Sequence, residues 1–205
     1  MIQTKAIRKT WWEPKSTALL KEYAKSSGGA YTAGKIRGWK YKGQHVRVPL
    51  PHRFGSCEVM VTDPNNDSSG NAYVITVKYS YRPRRKLEFV LFSAKRHVLA
   101  WFVGGLRDTS LPNSAMNKRF RAKASHPSLL RSALKYERLE KLLDVHPHVH
   151  FRLRIQSGRA TLTCTEKFKK PDIPAIAAAV ELTRTMILAL EELGIIGDSP
   201  SHPIQ

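Results

Sequence analysis

Acidic residues are scarce in this 205-residue chain: 16 Asp and Glu stand against 35 Lys and Arg, a net charge of +19. That imbalance argues against basic partners and for polyanions: nucleic acid, an anionic lipid surface or an acidic protein. Cysteine is scarcer still. Cys57 and Cys164 lie far apart, each within an alternating apolar run. Two such residues make no disulfide framework, so each is expected to be a small buried hydrophobe in a reducing compartment. No apolar run reaches about 18 residues, so nothing is expected to span a bilayer. Met1 to Lys15 carries charge but no apolar stretch of the signal-peptide kind. Internal repeats and low-complexity segments are absent. So are GxxxxGK[ST], a GxGxxG after a strand and GxSxG, which removes the common phosphate-loop and nucleophile-elbow enzymes.

The basic surplus is uneven. Residues 1–50 hold eleven basic and two acidic side chains, whereas residues 151–205 hold seven and six. The length suits one domain with a core that needs no disulfide or metal. We divide the chain into a basic N-terminal arm at 1–15, a single α+β domain at 16–196 and a loose tail at 197–205. Trp11 and Trp12 in the arm pack back on the domain or rest at a membrane interface.

Ser16-Thr17 suits the start of a helix over Ala18 to Lys25, stopped by Gly28-Gly29. A β-rich region follows, with strands over Ala30 to Arg37, Trp39 to Pro49 and around Cys57, Val59 and Val61. Tyr73 to Tyr81 and Leu87 to Ser93 pair as a hairpin whose basic tip holds Arg84 and Arg85. Val98 to Val103 adds a short strand, and Gly104 to Asn117 is loop.

The second half has the order β-α-β-β-α. Its first strand, Arg119 to Lys123, alternates Phe120, Ala122 and Ala124 with Arg119, Arg121 and Lys123. One helix over Ser128 to Leu143 follows, with Leu129, Ala133, Tyr136 and Leu143 on one stripe and Arg131, Lys135 and Arg138 opposite. The strand His150 to Ile155 alternates Phe151, Leu153 and Ile155 with His150, Arg152 and Arg154. A tight turn at Gln156-Ser157-Gly158-Arg159 leads into Ala160 to Lys167. Asp172 caps a final helix with the stripe Ile176, Val180, Thr183, Ile187 and Leu190, ending at Gly194. The predicted fold is α+β: an antiparallel sheet with helices packed on one face.

A helix ending in a Gly pair, then Gly38-Trp39-Lys40-Tyr41-Lys42-Gly43, a long sheet, Met116-Asn117-Lys118-Arg119-Phe120, a leucine-rich helix, two strands and an Ala/Leu helix form a familiar succession. Over about residues 16–194 it resembles a widespread class of uncharacterised bacterial domains often found behind transmembrane segments. Relatives commonly carry Phe-Asp where this chain has Met116-Asn117. The resemblance implies the α+β architecture and brings no activity, cofactor or catalytic residue with it.

The expected function is a non-catalytic module that engages a polyanion through a basic sheet face, nucleic-acid phosphates before anionic lipid. The expected contacts are Arg119, Arg121, Lys123, Arg152 and Arg154, with Arg84 and Arg85 as a second set. Lys35, Arg37, Lys40, Lys42, Arg47 and Lys78 are further basic residues for the same face. No cofactor is called for. His146, His148 and His150 would share one face of an extended segment and are the candidate metal ligands, against a solvated turn. Three rival readings stand beside this one: a peripheral membrane or envelope-associated protein, a scaffold for an acidic protein, and an enzyme with a site near His146–His150. The expected location is the cytoplasm, with the membrane periphery as its alternative.

Overall fold

The structure is a computed structural model, and it describes residues 15–37, 40–51, 54–64, 72–95 and 105–197. Trp11, Trp12, Trp39, the strand expected over Val98 to Val103 and most of the arm and tail lie outside them.

Helix α1 covers Lys15–Ser27, longer than the sequence predicts. The first-turn group Ser16 N–H is met from far along the chain, by Asp63 Oδ1 at 3.4 Å. The two glycines that end α1 do different work. Gly28 takes a positive φ of 65°, which suits a residue without Cβ. Gly29 lies so close to β-structure that a Cβ would meet Val46 at 2.8 Å and the Arg47 carbonyl at 2.9 Å.

Short strands then run β1 (Ala30–Thr32), β2 (Lys35–Arg37), β3 (Lys40–Lys42) and β4 (His45–Pro49). The two longer strands predicted here are therefore broken, and β2 and β3 form a separate two-stranded ribbon. After them come β5 (Ser56–Thr62), β6 (Tyr73–Tyr81) and β7 (Phe89–Ser93). The predicted loop before Asn117 contains β8 (Arg107–Asp108) and the start of α2 (Ser114–Arg119). Next are β9 (Phe120–Ala124), α3 (Pro127–Leu134), α4 (Glu137–Val145), β10 (His150–Gln156), β11 (Arg159–Phe168) and α5 (Ile173–Glu192).

Among the described residues the main sheet has nine strands in the order β1-β4-β5-β6-β11-β10-β7-β9-β8, all antiparallel. The expected β6–β7 hairpin does not form. The β10–β11 hairpin, closed by Ser157 and Gly158 at φ 50° and 74°, lies between those two strands. Local pairing in sequence loses here to a long register of nine residue pairs between β11 and β6.

One row of side chains crosses eight strands in register: Tyr31, Val46, Val59, Val77, Cys164, Phe151, Leu91 and Ala122. This face joins Leu20, Leu130, Leu139, Ile176 and Leu182 of the helices in one continuous core. Strand β7 is buried on both faces: Val90 and Phe92, each 2 % exposed, sit opposite Phe89 and Leu91. Its unbroken apolar run, Phe-Val-Leu-Phe, fits two-sided burial. Asp172 caps α5 as predicted, accepting from Ala175 N–H at 2.8 Å. Helix α5 is long and apolar enough to cross a membrane by composition. In this fold its buried residues include Leu182, Thr185, Met186 and Ala189 as well as most of the predicted stripe, so more than one side of it is covered.

The helix predicted over Ser128 to Leu143 is two helices, α3 and α4. Lys135 and Tyr136 separate them, Tyr136 in an extended conformation.

Candidate binding face of the sheet

Opposite the core, the same registers align a second row: Arg47, Glu58, Lys78, Thr163, Arg152, Val90, Lys123 and Asp108. Period-2 alternation puts every one of these on the face away from the helices. The predicted basic row is therefore present in part, and interrupted. Glu58 stands between Arg47 and Lys78, with Arg47 at 3.7 Å. Asp108 meets Lys123 at 3.6 Å, and the Lys123 side chain is only 14 % exposed. Arg154 is exposed and half-buried Arg152 lies two residues before it on β10.

The other predicted contacts are placed differently. Arg119 ends α2 instead of opening β9, and its guanidinium binds the carboxylate and carbonyl of Asp144. Arg121 does point outward, but it donates to the carbonyls of Asn117 and Phe120. Arg84 and Arg85 are not a hairpin tip. Their segment lies along the residues after α5: Arg84 N–H donates to the Ile195 carbonyl at 2.9 Å, and Pro83 bridges Ile196. Arg85 reaches the Leu193 carbonyl at 3.4 Å. These arginines serve carbonyls and carboxylates of their own chain.

The three histidines are separated in the same way. His146, at the end of α4, is buried, and its Nδ1–H donates to Glu166 Oε2 at 2.8 Å. His148 is exposed, and His150 opens β10 on the outward parity. No group of three or more His, Cys, Asp or Glu arranged to hold a metal occurs among the described residues. The expected histidine face fails because Pro147 and His148 form a turn, closed by Val149 N–H on the His146 carbonyl. Both cysteines are buried in the core, and burial pushes each thiol up to about 12. A thiol held protonated at neutral pH is no nucleophile.

A cleft with a volume of about 340 Å³ opens on this side of the sheet where β10 runs past the start of β7. Glu88, Val90, Leu106, Arg152, Arg154 and Gln156 line it. Glu88 is fixed at its rim. Its Oε1 accepts from Ile155 N–H at 2.9 Å, and its own N–H donates to Ser125 Oγ at 2.9 Å. The Nε of Arg152 is buried and has no hydrogen-bond partner among the described residues. Sequence patterning finds Arg152 and Arg154 as outward positions. It does not find the cleft, because Glu88 and Leu106 reach it through pairings β7–β10 and β8–β9 that no local pattern encodes.

These features define an α+β protein built on one wide antiparallel sheet, with a helical layer on its core face and a charged, polar opposite face. No protein-family model matches the sequence, and no curated protein matches it. Among solved structures, the fold is similar to the crystal structure of the mycobacterial trehalose monomycolate transport factor A, TtfA. The TM-score is 0.57 at 12 % identity, over 90 % of this chain and 97 % of that chain. At that identity the likeness is one of fold.

Proposed function

We propose that this chain is a non-catalytic, envelope-associated factor that works at an anionic membrane surface. The observation that carries the reading is the extent of the fold likeness: nearly the whole solved chain of a transport factor is matched by nearly the whole of this chain. The charge of +19 supplies the attraction to an anionic surface. The interrupted outer row weakens the nucleic-acid alternative. A phosphate backbone favours a continuous track of cations, whereas Glu58 and Asp108 break this one and Arg119 and Arg121 are engaged within the chain. Lys78 and Arg154, exposed on outward positions, are the contacts we assign to the surface, with Arg152 between them.

The test is flotation with phosphatidylglycerol-containing vesicles, run beside a duplex-DNA mobility shift, with NaCl raised from about 50 to about 500 mM so that the screening length shortens. We expect capture by anionic vesicles at low salt, loss at high salt, and no capture by phosphatidylcholine alone. The double substitution Lys78→Ala, Arg154→Ala should weaken capture. Absence of flotation at the lowest salt, or tighter binding to DNA than to vesicles, overturns the reading.

A further inference from the structure

The cleft beside β10 is lined by an arginine, Arg152, whose Nε finds no partner among the described residues. A guanidinium keeps its proton at any ordinary pH, so the buried Nε–H of Arg152 is a charged donor without an acceptor among the described residues. Leaving such a group unpaired is costly. Arg119, Arg131 and Arg138 are answered by Asp144, Ser110 and Glu181. Arg184 also has a buried Nε without a partner among the described residues, but its Nη1 stands 3.6 Å from the Glu181 carboxylate. Glu88 supplies the carboxylate of the cleft lining, and one of its oxygens is committed to the Ile155 amide. Arg152 and Arg154 with Glu88 leave the lining one positive charge in excess. A dianion would overshoot that charge and meet Glu88; a monoanion balances it. Val90 and Leu106 supply an apolar wall beside the arginines. The volume lies near the small end of ligand sites, enough for a head group and the first carbons of a chain.

We propose that this cleft binds a monoanionic phosphodiester, its two free oxygens on Arg152 and Arg154 and its ester carbons against Val90 and Leu106. Guanidinium forks match such an oxygen pair well. The proposal deepens the envelope reading and rests on it for the source of the ligand, a lipid head group.

Calorimetric titration of the full chain tests it with diethyl phosphate, dibutyl phosphate, uncharged tributyl phosphate and monomeric dihexanoyl phosphatidylglycerol. Dibutyl phosphate should bind about tenfold more tightly than diethyl phosphate, since each methylene placed on the apolar wall adds up to about fourfold. Tributyl phosphate should not bind. Arg152→Gln should weaken dibutyl phosphate at least about tenfold, the scale of a lost charge-assisted hydrogen bond. Arg154→Ala, at an exposed position that cannot disturb the core, should weaken it too. Arg152→Lys, which keeps charge and loses the Nε–H, should not restore affinity. No saturable binding of dibutyl phosphate, or equal binding by Arg154→Ala and wild type, overturns the site. Diethyl phosphate binding as tightly as the short-chain lipid overturns the lipid source. Vesicle capture without dibutyl phosphate binding removes the cleft and leaves the membrane reading. Dibutyl phosphate binding without vesicle capture removes the membrane reading and leaves the cleft.

Discussion

Few side chains here have so much depending on one contact as His146 and Glu166. Glu166 is 5 % exposed and His146 8 %, and they meet at 2.8 Å. A buried carboxylate survives only with a partner close by. The pair also fixes the turn that carries the chain from α4 into β10, and β10 holds Arg152 and Arg154. Removing one partner leaves the other buried and unanswered. Glu166→Ala should therefore cost about 3 kcal/mol of stability in urea denaturation, the range for broken buried pairs. The double change His146→Phe, Glu166→Met should recover most of that loss, because an apolar pair leaves nothing unsatisfied. A single substitution within 1 kcal/mol of wild type would mean that water reaches the pair, as exposed pairs are worth only about that much. The sequence carries a trace of this contact. Glu166 continues the inward series Leu162, Cys164, an odd place for a carboxylate, whereas its partner twenty residues earlier has no local mark.

At the scale of the element, the break between α3 and α4 decides which leucines form the core. Leu130 and Leu139 are both fully buried. Nine residues apart at about 100° each, they would lie about 180° apart on an uninterrupted helix. Such a helix would also carry the buried side of Leu130 and Leu134 onto Glu137 and Lys141. The extended residue Tyr136 rephases the chain: Leu139 and Leu143 turn inward, and Glu137 and Lys141 pair at 2.6 Å on the surface. Neither Gly nor Pro marks this break, so propensity and periodicity favour one helix; only the tertiary burial of leucines on both halves shows two. Leu130→Ala and Leu139→Ala should each cost about 3 kcal/mol, as buried leucine truncations do, and half-buried Leu129→Ala less. A small effect at Leu139 with a large one at Leu129 would restore the single helix. Elements with local signals were legible by contrast: the Asp172 cap, the Gly28 stop and the β10–β11 turn all stand where their residues place them.

For the whole molecule, sheet order and charge were legible to different degrees. Alternation correctly assigns the faces of β9 and β10, because one face of each is buried and a one-residue slip would invert it. It says nothing of which strand lies beside which. The insertion of β10 and β11 between β6 and β7 is a long-range pairing, and it creates the cleft. Net charge, in contrast, is read directly from composition, and the fold does not dissipate it. The ion pairs of the described residues, such as Arg47 with Glu58 and Arg138 with Glu181, use acidic groups that are already few. The unmatched cations repel one another across the surface, and mobile ions screen that repulsion within about 10 Å at 0.1 M salt. Thermal stability should accordingly rise as NaCl goes from low to about 0.3 M. A gain near 1 kcal/mol would shift the midpoint by about 2–4 °C in a chain of this size. Anionic vesicles at low salt should raise it as well, since a surface bound only by the folded chain stabilises that state. The two effects have opposite salt dependence: screening replaces the repulsion that the vesicles relieve, so the vesicle increment should vanish as the salt increment saturates. A midpoint that falls with salt would mean that attractive pairs outweigh the surplus of lysine and arginine. It would also remove the electrostatic basis for placing this chain at a membrane.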